Sequence, residues 1–227
     1  MSHTNSRRSG GRTARRTARS APLAEHLRPV RAGMVGGTYS PLSTEGEKKI
    51  HKAALDALEF VGLADAPQEG IAYMVKAGVI VGDDGRLRFP RALVEDALAS
   101  ANRNVILYGR DQRYDLDLSG NRVHFGTAGA AVHVVDVLNN EYRDSKVRDL
   151  YDAACIVDEL ENIHFLQRPM VCRDITDNRE MDYNTVYACC AGTKKHVGTS
   201  FTEPSFVPDA IEMLHLIAGG EQSWREL

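Results

Sequence analysis

SKVRDLYDAACIVDELENIHFLQRPMV, residues 145–171, holds both periodicities that decide this fold. In its first part Val147, Leu150, Tyr151, Ala154, Val157 and Leu160 recur at three- and four-residue intervals, the spacing of one apolar helix face. In its second part "NIHFLQRPMV" changes to a β-prone run. Asp144-Ser145 is expected to cap the helix at its start.

The same alternation continues toward the C-terminus. Helix "REMDYNTVYACCAG" is followed by strand "KKHVGTSF". Pro208 then opens a helix, "PDAIEMLHLIAGG", stopped by Gly219-Gly220. Upstream, "HFGTAGAAVHVVD", residues 124–136, reads as the strand that precedes the first of these helices. Strands alternating with helices imply parallel βαβ units, and three are counted. Three units leave sheet edges uncovered, and a (β/α)8 barrel takes roughly 250 residues. The expected fold is therefore α/β: a partial (β/α)8 TIM-type barrel, the first part of a barrel that continues beyond residue 227. Such a piece alone is expected to be poorly stable and inactive.

The first hundred residues differ. Pro41–Gly62 reads as a helix with capping-box spacing at Thr44 and Glu47, a face of Ile50, Ala54, Ala57, Leu58 and Val61, and a terminal glycine. A second helix follows over Pro67–Ala77. Asp83-Asp84-Gly85 turns a small hairpin, and Pro90 opens a third helix. "NVILYGR" and "YDLDLSGNRVHFG" then read as strands around a Ser119-Gly120-Asn121 turn. The expected domains are a disordered basic arm over 1–24, a helical extension over 25–102, and the barrel part over 103–227.

Composition narrows the classes of function. The chain has 227 residues, 43% hydrophobic and 26% charged, with net charge −3. That balance points to neither a nucleic-acid nor a membrane partner. No apolar run approaches the roughly 20 residues of a membrane span. Residues 1–24 carry six arginines and no acid. They contain no apolar segment of the kind a secretory signal requires. The four cysteines form no C-x-x-C pair, so a reducing cytoplasm is the simplest setting. Cys189-Cys190 is expected to be buried packing.

"HFGTAGAAVHVVD" also raises the question of phosphate binding. No lysine follows its glycines and no helix opens there, so the P-loop and dinucleotide readings both fail. Small residues at a strand end either admit a ligand or pack closely. Asp136 is either a turn former or a site carboxylate. No histidine stands in H-x-x-E-H or H-E-x-x-H spacing, so no metal site is predicted. Gln167, Arg168, Thr202 and Glu203 lie at or after strand ends, the catalytic side of a barrel. Phe125, Tyr142, Phe165 and Phe201 lie near the same ends. Aromatic and acidic groups together suit a cationic substrate and equally suit ordinary packing.

The order of "RRSGGRTARR", "ALEFVGL", "RLRFPRALVEDAL", "ILYGRD", "HFGTAGAAVHVVD", "YRDSKVRDLYDAACIVDELENIHF", "GTKKHVGTSFTEP" and "AIEMLHLIAGG" resembles the N-terminal half of the trimethylamine methyltransferase family. The resemblance runs from about residue 7 to 227. It implies a helical extension followed by a barrel. It also implies a corrinoid-dependent enzyme that moves a methyl group from trimethylamine, or from a quaternary amine such as glycine betaine, to cobalt. The corrinoid (cobalamin) is then carried by a partner protein, and none is bound directly. The whole enzyme is expected to be a cytoplasmic homo-oligomer in one-carbon or methanogenesis-type metabolism. The position where true trimethylamine enzymes carry pyrrolysine falls in the later strands. No catalytic residue is carried over. The expected substrate-binding residues are Phe125, Gly126, Thr127, Gln167, Phe201 and Glu203. Two other readings stay open: a zinc-assisted methyltransferase on the same barrel, and an inactive fragment that only binds a partner.

Overall fold

A computed structural model describes residues 16–17, 21 and 24–226. Most of the basic arm expected over 1–24 lies outside the described residues. The chain divides into two compact units. One comprises Val35–Ile106 and Asp117–Arg122. The other comprises the described residues up to Met34, Leu107–Leu116, and the chain from Val123 onward. The overall class is mixed helix and strand.

The first unit carries α1 (Thr44–Asp56), α2 (Gln68–Lys76), the hairpin β1 (Ile80–Val81) and β2 (Leu87–Arg88), and α3 (Arg91–Ser100). The cap of α1 is Ser43 rather than Thr44. Ser43 remains extended and its Oγ accepts the Gly46 N–H at 3.1 Å. The helix ends in a wider π-turn over Ala57–Val61. Gly62 follows with φ of 72°, and a Cβ there would fall 2.2 Å from the Leu87 carbonyl oxygen. Only glycine fits. Arg86 donates to the carbonyls of Val61 and Gly62, at 2.7 and 3.0 Å, where a helix end leaves acceptors unpaired. The expected apolar face is not the buried one. Leu55 is buried, whereas Ile50 and Val61 are 57% and 56% exposed. The π-turn, with its i→i+5 bonds, places an extra residue in the last turn before Val61, which takes it off the stripe.

The second unit carries the hairpin β3 (His133–Asp136) and β4 (Glu141–Asp144), then α4 (Val147–Glu159), β5 (Phe165–Gln167), α5 (Asn178–Gly192), β6 (His196–Gly198), α6 (Val207–Ala218) and α7 (Glu221–Arg225). β5 and β6 are parallel, with His196 opposite Phe165 and Gly198 opposite Gln167. Gly126 bridges to Phe165, also in parallel. Three parallel runs therefore lie side by side in chain order. Leu150, Ala154 and Val157 of α4 and Ala188 and Cys189 of α5 form one core with Leu166, and Val197 packs against it. Both helices thus cover the same face of β5 and β6. Gly192 lets the helices meet closely, since a Cβ there would fall 2.5 Å from the Ala154 Cβ.

Three local expectations change. Residues 124–136 are not one strand. Gly126 and Ala131 each make a single bridge, Gly129 breaks the run with φ of 113°, and only His133–Asp136 pairs continuously. The strands expected over 104–126 shrink to Ile106–Leu107, Leu116–Asp117 and Arg122–Val123. Asp115 and Asp117 take the N–H groups of Gly109 and Ser119 at 2.9 and 2.8 Å, which removes donors a longer ladder would need. The cap of α4 is Lys146, not Asp144-Ser145. Ser145 is buried and donates its hydroxyl to the Val171 carbonyl at 2.6 Å. Asp149 and Asp174 accept the N–H groups of Lys146 and Val147 at 2.9 and 3.0 Å instead. No closed barrel is present among the described residues.

Candidate functional site

Alternation along the strands sorts the side chains. Leu166 and Val197 face the helices, so Phe165, Gln167, His196 and Gly198 project to the other side. Gly126 joins this side, in register with Phe165. A Cβ on Gly126 would lie 2.3 Å from the Phe165 ring, and one on Gly198 would lie 2.1 Å from Gln167 Oε1. The space the glycines leave is therefore filled by two neighbouring side chains. Thr127 Oγ1 donates to the Gln167 carbonyl at 2.6 Å. Gly126, Thr127 and Gln167 are thus brought together at the C-terminal ends of two adjacent parallel runs.

Phe125 stands one residue earlier, beside His164. Its N–H donates to His164 Nδ1 at 2.9 Å, and the two rings are 6.0 Å apart. Acceptance at Nδ1 leaves the hydrogen on Nε2. His164 is buried, and that burial, with His124 and Lys195 nearby, pushes its pKa down toward the neutral ring. Phe201 and Glu203 lie beyond β6, in the segment that leads to a short 3-10 turn over Pro204–Phe206. No hydrogen bond, ion pair or ring contact among the described residues joins them to Gln167.

The residue between them is held firmly. Thr202 donates both its N–H and its hydroxyl to Asp182 Oδ2, at 2.7 and 2.8 Å. Asp182 is 1% exposed, and its Oδ1 is buried without a hydrogen-bond partner. The sequence carried a signal for this residue. Asp182, Thr185, Val186 and Cys189 recur on the buried stripe of α5, so an acid stands where an apolar residue is expected.

Asp136 is both a turn former and an ion-pair partner. It accepts the Leu138 N–H at 3.1 Å and Arg143 Nε at 3.0 Å. These two bonds, the backbone one first, hold its carboxyl below the ordinary range. Arg143 also grips Asp149 through two bonds of 2.7 and 2.8 Å. The hairpin is thereby braced on α4, while its tip presents Val137 and Leu138 at 90% and 95% exposure.

A cavity of about 530 Å3 lies at the opposite, N-terminal end of the strands, lined in part by Arg28, Tyr114, Asp158, His164 and Lys195. The Lys195 ammonium is spent there: it donates to the carbonyls of Val157, Leu160 and Ile163 at 2.6, 2.7 and 2.7 Å. It closes the C-terminal end of α4, as a cation does at the negative end of a helix. In barrel folds that end serves stability rather than catalysis. Among the described residues, no three His, Cys, Asp or Glu side chains converge as a metal set. No described helix is long and apolar enough to cross a membrane.

Comparison with known proteins adds the family. A family profile described as trimethylamine methyltransferase (MTTB) matches residues 8–226. Trimethylamine methyltransferase MttB of Desulfitobacterium hafniense is 30% identical over 207 residues, covering 87% of this chain and 40% of the relative. Trimethylamine methyltransferase MttB1 of Methanosarcina mazei is 28% identical over 158 residues, covering 68% of this chain and 32% of the relative. The chain spans well under half the length of these curated relatives. With a match that runs through nearly every described residue, the chain belongs to the trimethylamine methyltransferase family.

Proposed function

We propose that this chain contributes the first strands of a methyltransferase barrel. Its strand-end site would hold a methylated amine while a methyl group passes to a corrinoid on a partner protein. The observation that carries the reading is the family match over residues 8–226. The order of the strands supports the barrel. In a doubly wound sheet the order reverses and helices cover both faces. Here three parallel runs follow chain order and α4 and α5 share one face.

When present, the corrinoid supplies the cobalt nucleophile. The chain's own task is then to bind, orient and exclude water. A quaternary amine such as glycine betaine keeps the C–N electron pair on nitrogen and leaves as a neutral amine, so no general acid is required. Phe201, Glu203, Thr127 and Gln167 are the groups proposed to surround the cation, through aromatic faces, carboxylate charge and polar edges. In this reading the protein works in the cytoplasm and pairs with a corrinoid protein.

The test is demethylation. Residues 1–227 are joined to the remaining length of the Desulfitobacterium relative. The product is supplied with reduced corrinoid protein and either trimethylamine or glycine betaine, and the demethylated amine is quantified by mass spectrometry. Corrinoid-dependent release of dimethylamine or dimethylglycine is expected. Release no faster than without the protein, for both amines, overturns the reading.

A further inference from the structure

We propose that Asp182 is the buried counter-charge of the strand-end site: it pins the 199–203 segment through Thr202 and supplies a negative charge that water does not screen. This rests on the methylated-amine reading above and adds to it a residue that neither the motifs nor the family match singled out.

Three observations carry it. First, Asp182 Oδ2 receives both donors of Thr202, a residue 20 positions away that stands between Phe201 and Glu203. Two bonds converging on one carboxyl oxygen hold Thr202 by both its backbone and its side chain. Second, Asp182 is 1% exposed and its Oδ1 is buried without a hydrogen-bond partner. A buried carboxylate with one unsatisfied oxygen is costly, and such a group in a native fold calls for a reason. Third, Glu203, the acid the sequence favours, is exposed. Charge attraction between solvated groups is weak and salt-screened, whereas a buried charge acts through a medium of lower dielectric. Asp182 therefore satisfies the need for negative charge better than Glu203. It acts through Thr202 and through space, which makes it a positioning residue.

Two measurements test this. The first is amide hydrogen exchange of the 227-residue chain followed by NMR. Asp182→Ala should raise exchange of the Thr202 amide about tenfold or more, while amides of Leu166 and Cys189 stay unchanged. Asp182→Asn, which keeps an acceptor oxygen, should hold Thr202 within about threefold of wild type. The second is titration with tetramethylammonium of residues 1–227 joined to the remaining length of the Desulfitobacterium relative. Asp182→Asn should weaken binding about tenfold, and Glu203→Gln less than threefold. Wild-type binding with equal affinity in Asp182→Asn overturns the counter-charge. Unchanged Thr202 exchange in Asp182→Ala overturns the clamp. Absence of cation binding in wild type overturns the methylated-amine reading and the counter-charge together, and exchange alone then decides the clamp.

Discussion

Replacing Lys195 with methionine isolates the C-terminal closure of α4. The Lys195 ammonium makes three bonds, of 2.6, 2.7 and 2.7 Å, to the carbonyls of Val157, Leu160 and Ile163. The residue is 3% exposed. Bonds involving a charged donor contribute roughly 1.5–3 kcal/mol each, so three give about 5–9 kcal/mol. Removing an ammonium from water costs several kcal/mol in return. Methionine escapes that cost but leaves the Ile163 carbonyl unpaired and the Val157 and Leu160 carbonyls with only the N–H groups of Leu160 and Ile163, at 3.3 and 3.2 Å. The net loss is about 3 kcal/mol. With a urea slope of about 2 kcal/mol per M, the unfolding midpoint should fall by about 1.5 M. Neighbouring Lys194 is exposed, and Lys194→Met should stay within about 0.5 kcal/mol. Both variants are unfolded in urea and followed by ellipticity at 222 nm. Equal midpoints for Lys195→Met and Lys194→Met would refute the capping role.

Other outcomes follow from the packing and the ion pairs. Gly126→Ala should destabilise the chain by about 1–3 kcal/mol, because the new Cβ meets the Phe165 ring at 2.3 Å; a chemical melt checks it. Asp136 and Asp149 are held below the ordinary carboxylate range, by the Leu138 N–H with Arg143 and by Arg143 respectively. The unfolded chain takes up these protons first as pH falls through about 4, so the stabilisation is whole at neutral pH and is lost in acid. Urea midpoints of wild type should therefore drop more steeply between pH 7 and pH 3 than those of Arg143→Met. Burial pushes the Cys189 and Cys190 thiols up to about 12 and about 11. Thiol-disulfide reagents should modify the less buried Cys155 first and reach this pair only on unfolding, as peptide mapping would show.

The helices were legible where period and punctuation agreed. Leu150, Ala154 and Val157 stand on the face of α4 that the spacing predicts, and Gly219 ends α6 with φ of 90°. The glycines of residues 124–136 were legible as a place of close approach but not as to what approaches. Whether Phe165 or a ligand fills the space over Gly126 depends on a strand forty residues away, which local sequence does not encode. The hairpin after Gly129 was hidden for a related reason. The apolar run "VHVVD" suits a barrel strand and a hairpin arm equally, and the partner strand decides. Asp182 and Lys195 show the third kind of gap. Lys195 looks like an ordinary surface charge in the sequence and Asp182 shows only as an acid on an apolar stripe; their partners, the end of α4 and Thr202, emerge only in the folded chain.

The proposed function requires that the strand ends receive a methylated ammonium cation. The most telling measurement is an amide NMR titration, with trimethylamine and with glycine betaine at neutral pH, of isotope-labelled residues 1–227 joined to the remaining length of the Desulfitobacterium relative. Saturable shifts at Thr127, Arg168 and the 199–203 segment, weakened by Asp182→Asn, are predicted. Saturable shifts confined to the cavity around Tyr114, Asp158 and Lys195, or no saturable shift with either amine, would contradict it.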